Sequence, residues 1–179
     1  MKKLSKNFFS EDTEIVAKKL LWKIIKVWNN YWLILETECY KQNCDEASHA
    51  FWKKTKRNFL MYETFWFVYV YLIYWMHYCL NFTTEKHKAG AVLIRWVIDF
   101  YNWNIYKWPW KVTKFLWIDK KFNWLDLESN NKISILDIWF EVNNIVSMPR
   151  IWISKAKDKL WNFSIYNNQV FKIKKTVNL

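Results

Sequence analysis

The stretch Lys23-Ile24-Ile25-Lys26-Val27-Trp28-Asn29-Asn30-Tyr31-Trp32-Leu33-Ile34-Leu35-Glu36-Thr37-Glu38-Cys39-Tyr40 decides how this chain folds. Residues 23–27 and 32–38 are aliphatic and β-branched runs, and the turn-forming residues 28–31 between them give the form of a hairpin. Successive side chains of a strand point to opposite faces, so Glu36, Glu38 and Tyr40 share one face while Leu35, Thr37 and Cys39 share the other. The second face reads as core. The first is either a solvated surface with paired charges or the lining of a cleft, where a carboxylate serves as a general base. Spacing alone favours the solvated surface.

Outward from this hairpin, residues 10–21 have the pattern of an amphipathic helix. Ser10 or Asp12 stands near its start, acids occupy its first turn, and Ile15, Val16, Ala17, Leu20 and Leu21 supply an apolar stripe. Residues 45–51 and 111–116 read as short helices. Residues 66–81 and 91–98 read as buried strands, and 133–142, 151–153, 163–166 and 170–173 as later strands. The mixture predicts an α+β fold with a largely antiparallel, curved β-sheet flanked by short helices. Residues 64–82 contain no acid or base except His77, the pattern of a membrane span. Five tyrosines or tryptophans in mid-segment argue against it, because such rings favour bilayer interfaces.

A chain of 179 residues is long enough to bury a core as one domain. Lysine and arginine outnumber acids by 28 to 16, and the net charge of +12 is spread along the chain. A polyanion is the expected partner, either nucleic acid or an anionic membrane. Three cysteines cannot all pair within the chain, and no signal peptide precedes Lys2 and Lys3, so a reducing cytoplasm is expected. Cys39, Cys44 and His49 follow at five-residue intervals, which matches no compact zinc spacing. Buried, inert thiols and no metal are the expectation.

One compositional anomaly stands apart: 15 tryptophans and a single glycine, Gly90, where a globular chain carries roughly 7% glycine. Trp22 follows a helical pattern and Trp124 follows Asn123, both places where backbone logic asks for glycine. UGA codons meaning glycine but translated as tryptophan would explain the exchange. With Trp139 and Trp161 genuine and the remainder glycine, the glycine content becomes about 8%, near the ordinary fraction. Only three arginines, Arg57, Arg95 and Arg150, stand among abundant Lys, Asn and Ile, as in an AT-rich gene.

The ordered segments Leu4-Ser5-Lys6-Asn7-Phe8-Phe9, Glu36 to Tyr40, Asp45-Glu46-Ala47-Ser48-His49-Ala50, Thr55-Lys56-Arg57-Asn58, Tyr69 to Tyr74, Met76 to Asn81 and Ala91 to Arg95 resemble the motifs of the alkyladenine (3-methyladenine) DNA glycosylases. The resemblance continues through Trp108-Pro109-Trp110-Lys111, Leu116 to Asp119, Asn123 to Leu127 and Pro149 to Ile153, so it spans nearly the whole chain. In the family's pattern glycine stands opposite Trp22, Trp66, Trp75, Trp108, Trp110, Trp117, Trp124 and Trp152, whereas Trp139 and Trp161 match tryptophans. Between Arg95 and Trp108 the chain is shorter than the family usually is. Lys53, Lys56 and Glu63 replace glycine or proline.

The resemblance implies a monomeric, cofactor-free enzyme of base excision repair that flips an alkylated purine out of double-stranded DNA and hydrolyses its N-glycosidic bond. It implies Glu38 as the general base that activates water, Arg95 as a holder of that water, and Glu36 as a supporting acid. Tyr40, Ala47, His49 and Tyr71 resemble the base pocket, and Asn81 the position that screens against guanine. Tyr74 resembles the wedge that fills the gap in the duplex, with Met76, Arg57 and Lys54 also facing DNA. Two other readings stay open at this point: a catalytically inactive nucleic-acid-binding relative, and a small basic membrane-associated protein.

Overall fold

The computed structural model describes residues 1–138 and 144–165. Ten strands among these residues form one sheet in which every pairing is antiparallel. They are β1 (Lys2–Lys3), β2 (Ile24–Val27), β3 (Asn30–Lys41), β4 (Val68–Ile73), β5 (His77–Thr84), β6 (Gly90–Asp99), β7 (Ile105–Lys107), β8 (Ile133–Asp137), β9 (Ile145–Met148) and β10 (Asn162–Ile165). The main order is β1-β8-β2-β3-β6-β5-β4, with β10 between β3 and β9, and β7 on β6. Among the described residues four α-helices accompany it, α1 (Lys6–Phe9), α2 (Thr13–Lys19), α3 (Phe59–Glu63) and α4 (Pro109–Phe115), with a short 3-10 helix at Lys120–Phe122. The sheet curls into a half-barrel, and the α+β class expected from the sequence holds.

Helix α2 is shorter than the amphipathic pattern of residues 10–21. Asp12 caps it by accepting the Glu14 N–H at 2.8 Å, and Val16, Ala17 and Leu20 face the core. Thr37 Oγ1 donates to the Ala17 carbonyl at 2.8 Å and ties α2 to β3. At Gly90 the approach of α2 to the sheet is so close that a Cβ would collide with Thr13 Oγ1 and lie 2.7 Å from Thr84 Oγ1. Helix α4 is fastened to β5 by Thr113 Oγ1, which donates to the Tyr78 carbonyl at 2.9 Å.

Residues 66–81 form a hairpin, β4 and β5 joined at residues 74–76, rather than one continuous strand. Two further expectations fail. Residues 45–51 form turns instead of a helix, because the Asp45 carboxylate turns the chain by accepting the Ala47 N–H at 3.2 Å and is itself held by Arg150. Residues 151–153 are a turn rather than a strand, with Trp152 at φ 61° and the Ile151 N–H donated to a carboxylate instead of a neighbouring strand. The strand expected at 133–142 ends at Asp137, residues 139–143 lie outside the described residues, and so does the strand expected at 170–173. Among the described residues no helix is long and apolar enough to cross a membrane, and 64–82 is mostly strand.

Among the described residues nine tryptophans occupy the left-handed region: Trp22, Trp28, Trp66, Trp75, Trp103, Trp108, Trp117, Trp124 and Trp152, at φ between 51° and 83°. Such backbone costs a side-chain-bearing residue roughly 1–3 kcal/mol and suits glycine. The two positions singled out from the sequence are among them, Trp22 at φ 65° just beyond α2 and Trp124 at φ 74° after Asn123. Trp32, Trp52, Trp96, Trp110 and Trp161 do not share this backbone, so no such steric demand applies there.

Candidate active site

Strand β3 places chemistry on one face and core on the other. Leu35 and Cys39 join the hydrophobic core, whereas Glu36 and Glu38 are 1% and 0% exposed on the opposite face. The solvated acidic surface favoured by spacing is therefore overturned. Strand β10 runs along β3 with Asn162 opposite Glu38, and the 150–152 turn brings the Ile151 N–H onto Glu38 Oε1 at 2.9 Å. The register of β3 against β6 slips twice, around Leu35 and around Arg95. Irregularities of this kind re-aim side chains beside functional sites. Here they bring together Glu36 and Arg95, the members of one ion pair.

Arg95 Nε donates to Glu36 Oε1 at 2.7 Å, and its Nη1 lies 3.3 Å from Glu38 Oε1. Glu38 Oε2 accepts the Tyr40 hydroxyl at 2.8 Å. Burial raises the Glu36 pKa above the ordinary carboxylate value, and the neighbouring Glu38 charge adds to this; Asn162 and Arg95 only partly offset the rise. Burial disfavours the Arg95 charge, but the two carboxylates outweigh it and hold its pKa above the usual arginine value. The Tyr40 phenol is pushed well up by burial and by the Glu38 charge, so it stays a donor at neutral pH.

Tyr40 and Arg95 line a cavity of about 890 Å³ with Tyr71, Tyr74, Trp110 and Trp152. A smaller recess of about 180 Å³ adjoins it, sharing Tyr40, Tyr71, Ile73, Trp152 and Ile153 and adding Ala47, His49 and Asn81. Glu38 lines neither; it stands behind Tyr40 and Arg95, which it contacts directly. The His49 ring meets Tyr71 edge-on at 4.6 Å, and its Nδ1 lies 3.0 Å from the Tyr69 hydroxyl. Burial, with the Arg57 charge, lowers the His49 pKa to about 4, which keeps the imidazole neutral at neutral pH. Asn81 Nδ2 donates to the Tyr69 and Cys79 carbonyls, leaving its position in the recess fixed.

At the β4–β5 tip three large apolar side chains stand in solvent: Tyr74 at 71%, Trp75 at 95% and Met76 at 69% exposure. Arg57 borders the larger cavity beside this tip, with its guanidinium 5.4 Å from the Tyr71 ring and one nitrogen donating to the Leu72 carbonyl. Lys54 is paired with Glu63 and lies over Phe59, outside both cavities. The structure thus brings Glu36, Glu38, Arg95, Tyr40, Ala47, His49, Tyr71 and Asn81 to one place, with Tyr74, Met76 and Arg57 at its rim. Among the described residues no three His, Cys, Asp or Glu side chains gather as a metal set; the three thiols are free, with Cys39 and Cys79 buried as expected but Cys44 exposed, since it lies in the loop beyond β3.

Two elements of the site were missed as site residues by sequence reasoning. Arg150 grips Asp45 with both terminal nitrogens, at 2.6 and 2.5 Å, donates to the Cys39 carbonyl and lies 4.6 Å from the centre of the Tyr40 ring. Asn162 Nδ2 reaches Glu36 Oε1 at 2.8 Å and Glu38 Oε1 at 3.2 Å. Arginine scarcity was the available signal for the first. A lysine-rich chain with three arginines places all three at this site, where planar, bidentate or ring-stacking contacts favour guanidinium over ammonium. Nothing in the sequence distinguished Asn162 from the chain's other asparagines.

The model of the methylpurine-DNA glycosylase family matches residues 7–105. A provisionally named 3-methyladenine DNA glycosylase of Rickettsia felis is 38% identical over 164 residues, covering 90% of this chain and 92% of that protein. One from Ehrlichia ruminantium, also provisionally named, is 37% identical over 166 residues, covering 90% of this chain and 88% of the relative. This chain belongs to the methylpurine-DNA glycosylase family.

Proposed function

We propose that this chain is a monofunctional DNA glycosylase that flips an alkylated purine from duplex DNA and hydrolyses its N-glycosidic bond, with Glu38 as the general base. The observation that carries this reading is the buried Glu36–Glu38–Arg95 cluster directly behind an aromatic recess. Flipping is cheapest for a damaged, weakly paired base. Alkylated purines are often cationic, and the faces of Tyr40 and Tyr71 favour a cation, as does a neutral His49. Asn81 screens against guanine, and Ala47 keeps one wall of the recess low.

In the hydrolytic step a water takes the place of the Tyr40 hydroxyl on Glu38 Oε2 as Tyr40 turns against the base. Glu38 removes the water's proton while the oxygen attacks the anomeric carbon, and the purine leaves with the bonding electrons. Arg95 Nη2, buried and without a hydrogen-bond partner among the described residues, supplies a donor to that water. Tyr74 and Met76 fill the gap left in the duplex, and Arg57 and Lys54 meet phosphates. The protein acts as a monomer, without metal or cofactor, on double-stranded DNA.

The test is release of methylated purine from alkylated duplex DNA, by the chain as written and by the chain with glycine at the nine left-handed tryptophan positions, each beside its Glu38→Gln variant. Release that disappears with Glu38→Gln is expected. Release that survives the substitution, or its absence from both parent forms despite folding and DNA binding, would overturn the reading. A specific observation favours an inactive DNA-binding role for the chain as written. Trp152 lines both cavities and stacks on Trp108 at 5.0 Å, so its ring takes up space that a glycine would leave open, and release confined to the glycine form is the mark of that case.

A further inference from the structure

We infer that Asn162 is a positioning residue for the general base: its amide fixes the spacing and orientation of Glu36 and Glu38. The inference rests on the proposed function of Glu38. Asn162 opens β10 and stands opposite Glu38 in the sheet, so the backbone register itself delivers its side chain to the carboxylates. It is fully buried. One nitrogen, Nδ2, lies 2.8 Å from Glu36 Oε1 and 3.2 Å from Glu38 Oε1, and its two protons suffice for one bond to each.

The orientation of this amide follows from its neighbours. Ionised carboxylates only accept hydrogen bonds, so the NH2 group must face them, and the reverse rotamer would set an amide oxygen against two acceptors. Arg95 cannot do the same work alone. Its Nε is directed at Glu36 at 2.7 Å, and its Nη1 meets Glu38 at the longer distance of 3.3 Å. The Ile151 N–H holds the same Glu38 oxygen from the 150–152 turn. Two hydrogen bonds, from the Ile151 N–H and Asn162 Nδ2, and the ion-pair contact of Arg95 Nη1 therefore converge on Glu38 Oε1 and leave Oε2, which carries only the Tyr40 hydroxyl, as the oxygen free to take a proton from water.

A purely structural asparagine would be exchangeable at equal cost at every pH. A donor shared between two carboxylates is different, because its loss favours their protonated forms and impairs the base most where protons are abundant. The experiment is single-turnover purine release against pH for the glycine-restored chain, Asn162→Leu and Asn162→Ser, with affinity for duplex DNA containing an abasic-site analogue measured in parallel. Expected for Asn162→Leu is an acid limb displaced upward by roughly one pH unit or more, the scale of one charge-assisted hydrogen bond. The rate falls about 10-fold or more below that limb, with a smaller loss above it and unchanged analogue affinity. Asn162→Ser, smaller and keeping one donor, lies between and serves if the leucine variant does not fold. A limb unmoved in the variants, or a loss equal at all pH values, would overturn the positioning role while leaving Glu38 as base. Absence of Glu38-dependent release in the parent would overturn both.

Discussion

Replacing a tryptophan by glycine ordinarily removes contacts and loosens the chain, so a substitution of this kind that stabilises would identify backbone strain as the larger effect. Trp75 and Trp117 are the cleanest sites. Both are left-handed, at φ 59° and 51°, and both are largely exposed. Relief of the left-handed backbone returns roughly 1–2 kcal/mol. The added freedom of glycine in the unfolded chain takes back about 0.4–1 kcal/mol. Trp75→Gly and Trp117→Gly are therefore each expected to stabilise by about 0.5–1 kcal/mol, and nearly additively where they share no neighbours. Trp161→Gly is the control. Trp161 lacks the left-handed backbone, donates its Nε1 proton to Glu14 at 3.1 Å and packs against the core, so its loss should destabilise by about 3 kcal/mol. Urea midpoints at constant slope measure all three. A fall in midpoint for Trp75→Gly and Trp117→Gly, in the same sense as Trp161→Gly, would refute strain as the dominant effect. The gene offers a parallel check: UGA is expected at the nine left-handed positions, and UGG there would remove the codon explanation.

Two further outcomes concern the pocket's support. Burial and Arg57 depress the His49 pKa from 6.5 to about 4, so the unfolded chain takes up this proton before the folded one does. The stabilising contribution is complete above about pH 6.5 and is lost as pH falls towards 4, reaching about 3 kcal/mol. Urea midpoints should then fall more steeply with acid in the parent than in His49→Gln, and parallel curves would count against it. Asp45→Asn strips the buried Arg150 of its carboxylate, and such uncompensated charge typically costs about 3–5 kcal/mol. A loss below about 1 kcal/mol in urea unfolding would mean that the ion pair does not hold the 150–152 turn against β3.

What could be read from the sequence was whatever depends on local periodicity. The alternation Leu35, Thr37, Cys39 against Glu36, Glu38, Tyr40 gave the two faces of β3 correctly, and the hairpin of β2 and β3 follows from the same run. Periodicity could not say that the acidic face is buried, because its cover arrives from Arg150, Ile151 and Asn162, more than a hundred residues later. The same distance explains the misread turns. Residues 45–51 looked helical by composition, yet Asp45 is committed to Arg150 and to capping its own turn. Residues 151–153 are apolar enough for a strand, but their one strategic N–H is spent on Glu38.

Buried ion clusters are poor devices for stability, since desolvation of the charges commonly cancels their attraction and apolar replacements of similar shape are often as stable or more so. The fold nevertheless sinks two carboxylates and a guanidinium beneath Tyr40 and leaves Arg95 Nη2 and Asn162 Oδ1 without protein partners among the described residues. A core built for stability alone would not leave a donor and an acceptor open beside two acids. Both carboxylates come from β3, whose other face carries Leu35 and Cys39 of the main core, so one strand joins the core of the molecule to two of its fully buried acids. Such placement holds the two acids in a fixed geometry behind the cavity that Tyr40 and Arg95 line, and fixed geometry of this kind is what a site that acts on a ligand requires rather than one that only stabilises the fold.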